Sequence, residues 1–186
     1  MFSTLRKKHK NYSKSHKNKK MKVTTWRKIP AIWKEIIVLS IKIQEEGVDT
    51  EKVISLLEKY KEASKVYELL FEEKLPVEDW PNFTFFNRLS PLEEIYCAYL
   101  PIDDIDPIIY FPLTKKIHAE GTSIMALDAL MLTARLEELY IDNTFVDDIT
   151  EIIDVPLKIL SIKGCVIEQT QLQTVLLRNP SCKIID

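Results

Sequence analysis

Glycine is scarce in this chain of 186 residues: only Gly47, Gly121 and Gly164 occur, so neither a phosphate-cradling P-loop nor a glycine-rich dinucleotide fingerprint can be written. Long apolar runs are missing too. The greasiest stretch, Ile29 to Ile43, is broken by Lys34, Glu35 and Lys42, which excludes a membrane-spanning helix of the usual roughly 18 residues or more. The basic N-terminus lacks the apolar core and small-residue cleavage site of a secretory signal. Cysteines number 3, Cys97, Cys165 and Cys182, an odd count in a chain long enough to build a core without staples. That points to reduced thiols and a cytoplasmic setting. What is present, 46% apolar and 29% charged residues, suits one soluble domain with a small appendage.

Acid is absent from the first 34 residues, which hold 12 Lys or Arg, while the rest of the chain holds 14 basic and 28 acidic side chains. Residues 1–28, rich in Lys, Ser and Asn with almost nothing to bury, are expected to be a basic disordered tail, with Met21 as a second candidate start. Nucleic acid, if bound at all, would be met only through this tail, by phosphate neutralisation. Residues 29–74 read as a helical hairpin. Gly47 is the expected stop of its first helix and Asp49 or Thr50 the N-cap of its second, on which Val53, Leu57, Tyr60, Ser64, Tyr67 and Phe71 share one face. Residues 75–91, with Pro76, Pro81, Pro91, Trp80, Phe83, Phe85 and Phe86, read as an aromatic junction that caps the C-terminal half of the chain.

From residue 92 the chain repeats itself. Leu92-Glu-Glu-Ile95-Tyr-Cys97 is echoed by Thr114-Lys-Lys-Ile117-His-Ala119, by Leu136-Glu-Glu-Leu139-Tyr-Ile141 and by Leu157-Lys-Ile-Leu160-Ser-Ile162, with Cys182-Lys-Ile184 as a partial closing copy. Ile95, Ile117, Leu139, Leu160 and Cys182 are spaced by 22, 22, 21 and 22 residues. Two further columns follow the same period, Ile105, Leu127, Ile149 and Leu172, then Ile108, Leu130, Ile152 and Val175.

This pattern resembles the leucine-rich repeat family, whose unit is L-x-x-L-x-L-x-x-N/C-x-L over about 20 to 29 residues. Thr144 and Cys165 occupy the position where that family prefers Asn or Cys, and Leu100 and Thr122 depart from it. The resemblance covers residues 92–184 and implies a parallel sheet on the concave face of a solenoid that binds proteins. The physics leads to the same place. Residues alternating in and out along a short strand, stacked about 4.8 Å apart, pool their aliphatic groups into a core that one unit could not bury. The expected fold class is thus an α/β solenoid, a short repeat array over residues 92–186 with a closing strand, preceded by a helical hairpin cap.

If Leu139 and Ile141 point inward, their neighbours point out from the concave face. The outward columns are Glu94, Lys116, Glu138 and Ile159, then Tyr96, His118, Tyr140, Ser161 and Lys183, then Ala98, Glu120, Asp142 and Lys163. Adjacent Tyr96, His118 and Tyr140 offer large contact area at modest entropic cost. The expected partner-binding set is Glu94, Tyr96, His118, Glu120, Glu138, Tyr140, Asp142 and Lys163, acidic over the earlier repeats and therefore suited to a protein with basic groups. Steadying of the sheet by cross-strand rings is the plainer role for the same aromatics.

Other chemistry has little support. Asp103, Asp104, Asp106, Asp147 and Asp148 fall at repeat-equivalent turns, where capping explains them better than a calcium site. His118 beside Glu120 has no accompanying nucleophile, and His9 and His16 have no Cys at zinc-ligand spacing. The expectation is a non-enzymatic protein-protein interaction module with no cofactor, no metal and no membrane association, a monomer or weak oligomer. A separate option has Val53, Leu57 and Tyr67 docking into another protein or a second copy.

Overall fold

The computed structural model describes residues 26–76 and 92–186. The expected tail up to residue 25, the alternative start at Met21, and residues 77–91 of the junction lie outside them. Among the described residues three α-helices precede the strands, α1 (Ala31–Glu46), α2 (Thr50–Tyr60) and α3 (Ala63–Phe71). Five strands of three residues succeed them, β1 (Glu94–Tyr96), β2 (Lys116–His118), β3 (Glu138–Tyr140), β4 (Ile159–Ser161) and β5 (Lys183–Ile185), with α4 (Gln169–Arg178) before the last. The strands form one parallel sheet in chain order, so every connection runs to the nearest neighbour, as in a solenoid.

Register confirms the repeat for the first four strands. Ile95 pairs with Ile117, Ile117 with Leu139 and Leu139 with Leu160, and all four side chains are fully buried. The closing copy differs: Leu160 pairs with Ile184, not Cys182. Earlier coils return along the convex side through short 3₁₀ turns, Asp106–Tyr110, Asp128–Leu132 and Thr150–Ile152, whereas the last returns through the 10-residue α4. An α-helix rises about 1.5 Å per residue against about 2.0 Å for 3₁₀, so it needs more residues for the same span. A slip of two preserves the pleat, so Cys182 still faces the interior, and Lys183 moves from the central outward column to the leading one.

Both convex columns are buried, Ile105, Leu127, Ile149 and Leu172 in one, Ile108, Leu130, Ile152 and Val175 in the other. In three coils the same turn recurs, with the N–H of Ile108, Leu130 and Ile152 donating to the carbonyls of Ile105, Leu127 and Ile149. The aspartates do close turns, one residue later than the 103 and 147 register: Asp104 accepts from the N–H of Asp106 and Asp148 from that of Thr150. After each of the first four strands one residue takes a left-handed conformation, Tyr99, Gly121, Asn143 and Gly164. Glycine at 121 has a second cause besides its φ of 64°. A Cβ there would run into the ring of Tyr99, which lies over it.

Helix α1 is apolar on nearly all sides, with Trp33, Ile36, Ile37, Val38, Leu39, Ile41 and Ile43 in the core. Gly47 ends it in the left-handed conformation, and Asp49 caps α2 by accepting from the N–H of Lys52. The expected second helix of the hairpin is divided in two. Lys61 turns left-handed and Glu62 extends, with no proline or glycine to announce the break. The kink moves Ala63 and Val66 into the core beside Val53, Leu57 and Tyr67, and leaves Tyr60 at the surface. Burial thus overrides the helical period. With Val53, Leu57 and Tyr67 buried inside the chain, the option that they dock into another protein is removed. The core also reaches back beyond the expected end of the tail: Trp26 is only 2% exposed, so the fold includes residues 26–28. No helix among the described residues is long and apolar enough to cross a membrane.

Candidate functional site

Helix α1 lies along the free edge of β1. Ser40, the one polar side chain in the run Ile36 to Ile41, accepts from the N–H of Tyr96 at 3.0 Å, and Gln44, one turn on, accepts from the N–H of Glu93 at 2.9 Å. These bonds satisfy the edge that an open sheet would otherwise present. They also bring the start of α2 over the sheet, where Thr50 Oγ1 meets the Tyr96 hydroxyl at 2.9 Å.

The rings expected side by side are indeed stacked. His118 lies between Tyr96 and Tyr140, with ring centroids 5.2 and 4.8 Å apart and planes within 8° and 7°. Burial along this ladder is graded: Tyr96 is 2% exposed, His118 5%, and Tyr140 half-buried. Glu120, expected to face a partner, is buried as well. Tyr96, His118 and Glu120 therefore offer a macromolecule almost no surface: α1 borders the first strand, Thr50 at the start of α2 meets Tyr96, and the ladder packs His118 between its neighbours. Alternation along a strand tells which face a residue takes and not what lies over it.

Charge around the ladder is compensated internally. His118 Nε2 lies 3.0 Å from Glu94 Oε1, and Nδ1 lies 3.3 Å from Glu120 Oε1. Carboxylates only accept, so an imidazole facing two of them is satisfied at both nitrogens when doubly protonated. Burial disfavours that charge, but the hydrogen bonds and negative charges of Glu120 and Glu94 outweigh it and raise the His118 pKa. Glu94 is held below the usual carboxylate range in turn: burial opposes this, and His118 and Lys116 prevail. Lys116 bridges Glu94 at 3.6 Å and Glu138 at 3.1 Å. The acidic character expected over the early repeats from Glu94, Glu120, Glu138 and Asp142 is thus partly neutralised by Lys116 and His118. Among the described residues, Glu120 Oε2 and, in α1, Trp33 Nε1 are buried with no hydrogen-bond partner.

Past the ladder the face opens. Tyr140 donates to Glu138 at 2.9 Å, and burial together with that carboxylate pushes its phenol pKa upward. Its register partner on β4 is Ser161, too small to cover a ring, and Ser161 donates to Asp142 at 2.6 Å. Asp142 also accepts from the N–H of Lys163, whose side chain is exposed. Sequence reasoning missed Ser40, Gln44 and Thr50, which close the N-terminal half. Ser40 had a signal, a single hydroxyl in an otherwise aliphatic helix.

Behind the strands, the position that the repeat reserves for Asn or Cys fastens the second and third coils to their own turns and ties the fourth to the third. Thr122 Oγ1 donates to the carbonyl of Ala119, Thr144 Oγ1 to that of Ile141, and Cys165 Sγ to that of Ile141 in the coil before. Parallel strands in repeat register, an aliphatic interior shared by the coils and this internal turn ladder together decide the architecture. Residues 92–186 form a leucine-rich-repeat solenoid. Thr122 does the work of the consensus residue, and Leu100 simply packs.

No family model and no curated protein matches the chain. Solved structures similar to it include an internalin C2 of Listeria monocytogenes, 20% identical over 56% of this chain and 46% of that one, with a TM-score of 0.48. A leucine-rich-repeat protein of Leptospira interrogans is 17% identical over 54% of this chain and 26% of its own, with a TM-score of 0.48. A Listeria monocytogenes internalin, inlF, is 15% identical over 56% and 31%, with a TM-score of 0.45. The chain spans less than half the length of each of them.

The three cysteines of the solenoid are free, Cys97 and Cys182 buried and Cys165 half-buried. Burial pushes the Cys97 thiol well up, and the negative charge of Glu120 adds to it, which is the opposite of what a nucleophile needs. A cavity of about 310 Å³ lies on the convex side, lined by Met131, Thr133, Glu151 and Asp154 among others, away from the concave face. Among the described residues no cluster of three or more His, Cys, Asp or Glu is placed to hold a metal ion.

Proposed function

We propose that the chain is a non-enzymatic protein-binding module that engages a protein partner through the open half of its concave face, centred on Tyr140, with Glu138, Asp142 and Lys163 around it. One observation carries this reading. Tyr140 is locked by His118 on one ring face and by Glu138 at its hydroxyl, while its other face looks over Ser161. A half-buried aromatic already fixed in orientation loses little freedom on binding, which is the usual profile of an anchor residue. Glu94, Tyr96, His118 and Glu120 act behind it as the rigid support. Three free thiols suit a reducing compartment, and we assign the protein to the cytoplasm on that ground.

The test is quantitative affinity capture from the native host with the wild-type chain and with Tyr140→Ala/Lys163→Glu. Lys163 is exposed and Tyr140 half-buried, so circular dichroism should be retained and the melting temperature should fall by only a few degrees for the lost stack on His118, worth about 0.5–1.5 kcal/mol beyond burial. Proteins retained by the wild type should be lost from the variant, and their equal retention would end the concave-face reading. The basic residues on which nucleic-acid association would rest lie, except for Arg27 and Lys28, outside the described residues.

A further inference from the structure

Cations are distributed unevenly around the solenoid. Residues 97–113, 119–134, 141–157 and 164–177, which run from the end of each strand round the convex side, contain 11 Asp or Glu and no Lys or Arg. Several bases sit just before or at the start of the strands instead, and there Lys115 pairs with Glu93 at 2.8 Å and Lys158 with Glu137 at 2.6 Å. Of these acids Asp154 pairs with Arg178 at 3.8 Å and Glu120 with His118 at 3.3 Å. The rest, Asp103, Asp147 and Glu168 among them, form no ion pair among the described residues, so the flank that leaves the strands carries excess negative charge.

That same flank is also greasy. Phe145 is 67% exposed, Val166 85% and Met125 67%. Phe145 and Val166 are equivalent positions of adjacent coils, each directly after one member of the touching pair Thr144 and Cys165, whose Oγ1 and Sγ lie 3.4 Å apart. Met125 joins them, because the carbonyl of Ile124 accepts from the N–H of Phe145. Asp103, Asp147 and Glu168 are repeat equivalents of Met125 in the other coils; all are exposed, and none forms an ion pair among the described residues. Apolar side chains this exposed, side by side and fringed by unpaired carboxylates, are unusual on a surface that meets only water.

We propose that this flank docks a lysine- or arginine-rich segment of a partner protein that carries an apolar side chain between its cations. The apolar residue would seat on Phe145 and Val166, and the cations would meet Asp103, Asp147 and Glu168. Opposite charge supplies orientation and speed of encounter, and the apolar contact supplies the affinity that survives salt. This surface lies off the concave face and does not depend on Tyr140.

The probe is a fluorescein-labelled peptide of four lysines flanking a central leucine–phenylalanine pair, with a control in which serines replace that pair, titrated against the full chain by fluorescence anisotropy. We expect the apolar peptide to bind at least about tenfold more tightly than the control, and Phe145→Ser/Val166→Ser to abolish that difference with circular dichroism intact. Asp103→Asn/Asp147→Asn, at side chains that hold nothing in the fold, should weaken binding at least about threefold at low salt and little at high salt. Equal affinity for the two peptides, or binding unaffected by both variants, would overturn the proposal. A photo-cross-linker at position 166 identifies the occupant: capture of the labelled peptide supports it, and exclusive capture of residues 1–25 of the same chain or of a second copy overturns it.

Discussion

Replacing His118 by Phe keeps a flat ring between Tyr96 and Tyr140 and removes only the two contacts to Glu94 and Glu120. Each stacked pair is worth about 0.5–1.5 kcal/mol beyond burial, and the variant retains both. Taking one partner out of a buried ion pair costs about 3–5 kcal/mol. Glu94 is a quarter exposed and keeps Lys116, so we expect a loss of about 2–4 kcal/mol, most of it from Glu120, whose Oε2 is already unpartnered. The pH dependence has a definite sign. His118 is raised above its ordinary value, so its contribution is fully present below about pH 6.5 and is lost as pH rises through the folded-state pKa. Glu94 is lowered, so its contribution is present above about pH 4.3 and is lost as pH falls through its own folded value. Urea unfolding followed by circular dichroism, with both proteins taken from pH 4 to 9, should show the gap in stability widest between about pH 4.5 and 6.5 and narrowing above. A gap that stays constant, or widens toward alkaline pH, would refute a charged imidazole in the stack.

Three further perturbations address the scaffold. Gly121→Ala should cost about 1–2 kcal/mol for the left-handed backbone alone, and more from the clash with Tyr99; Tyr99→Ala in the same chain should recover the clash part, which a double-mutant cycle of unfolding free energies reads directly. Leu139→Ala, at a fully buried position between two coils, should lose about 2–5 kcal/mol in the same assay. Ser40→Ala leaves the N–H of Tyr96 unpaired at the sheet edge and should cost about 1–3 kcal/mol, with faster hydrogen exchange at Tyr96 as its local signature.

Much of this architecture is legible in the residues. Spacing of Ile95, Ile117, Leu139 and Leu160 carries the sheet register, since a side-chain period of two and a coil period of about 22 leave one alignment that buries every aliphatic. Strand β5 escapes because its alignment depends on the return path, and whether residues 169–178 wind as 3₁₀ or α is set by packing against the coil before. The break at Lys61 is invisible for the same reason: no local signal marks it, and the gain comes from burying Ala63 and Val66 elsewhere. The candidate site was half readable. Alternation places Tyr96, His118 and Tyr140 in one row, but their coverage is decided by Ser40 and Thr50, 56 and 46 residues distant from Tyr96 in the chain. The acidic face foreseen from Glu94, Glu120 and Glu138 is tempered because Lys116 and His118 belong to the same row of neighbours.

The division of the concave face into a sealed half and an open half can be read in one experiment, hydroxyl-radical footprinting of the full chain, free and with a captured partner, resolved residue by residue by mass spectrometry. We expect Tyr140 to oxidise readily in the free protein and to be protected on binding, while Tyr96 and His118 react slowly in both states. Tyr96 and His118 oxidising as fast as Tyr140, or Tyr140 left unprotected beneath a bound partner, would contradict it.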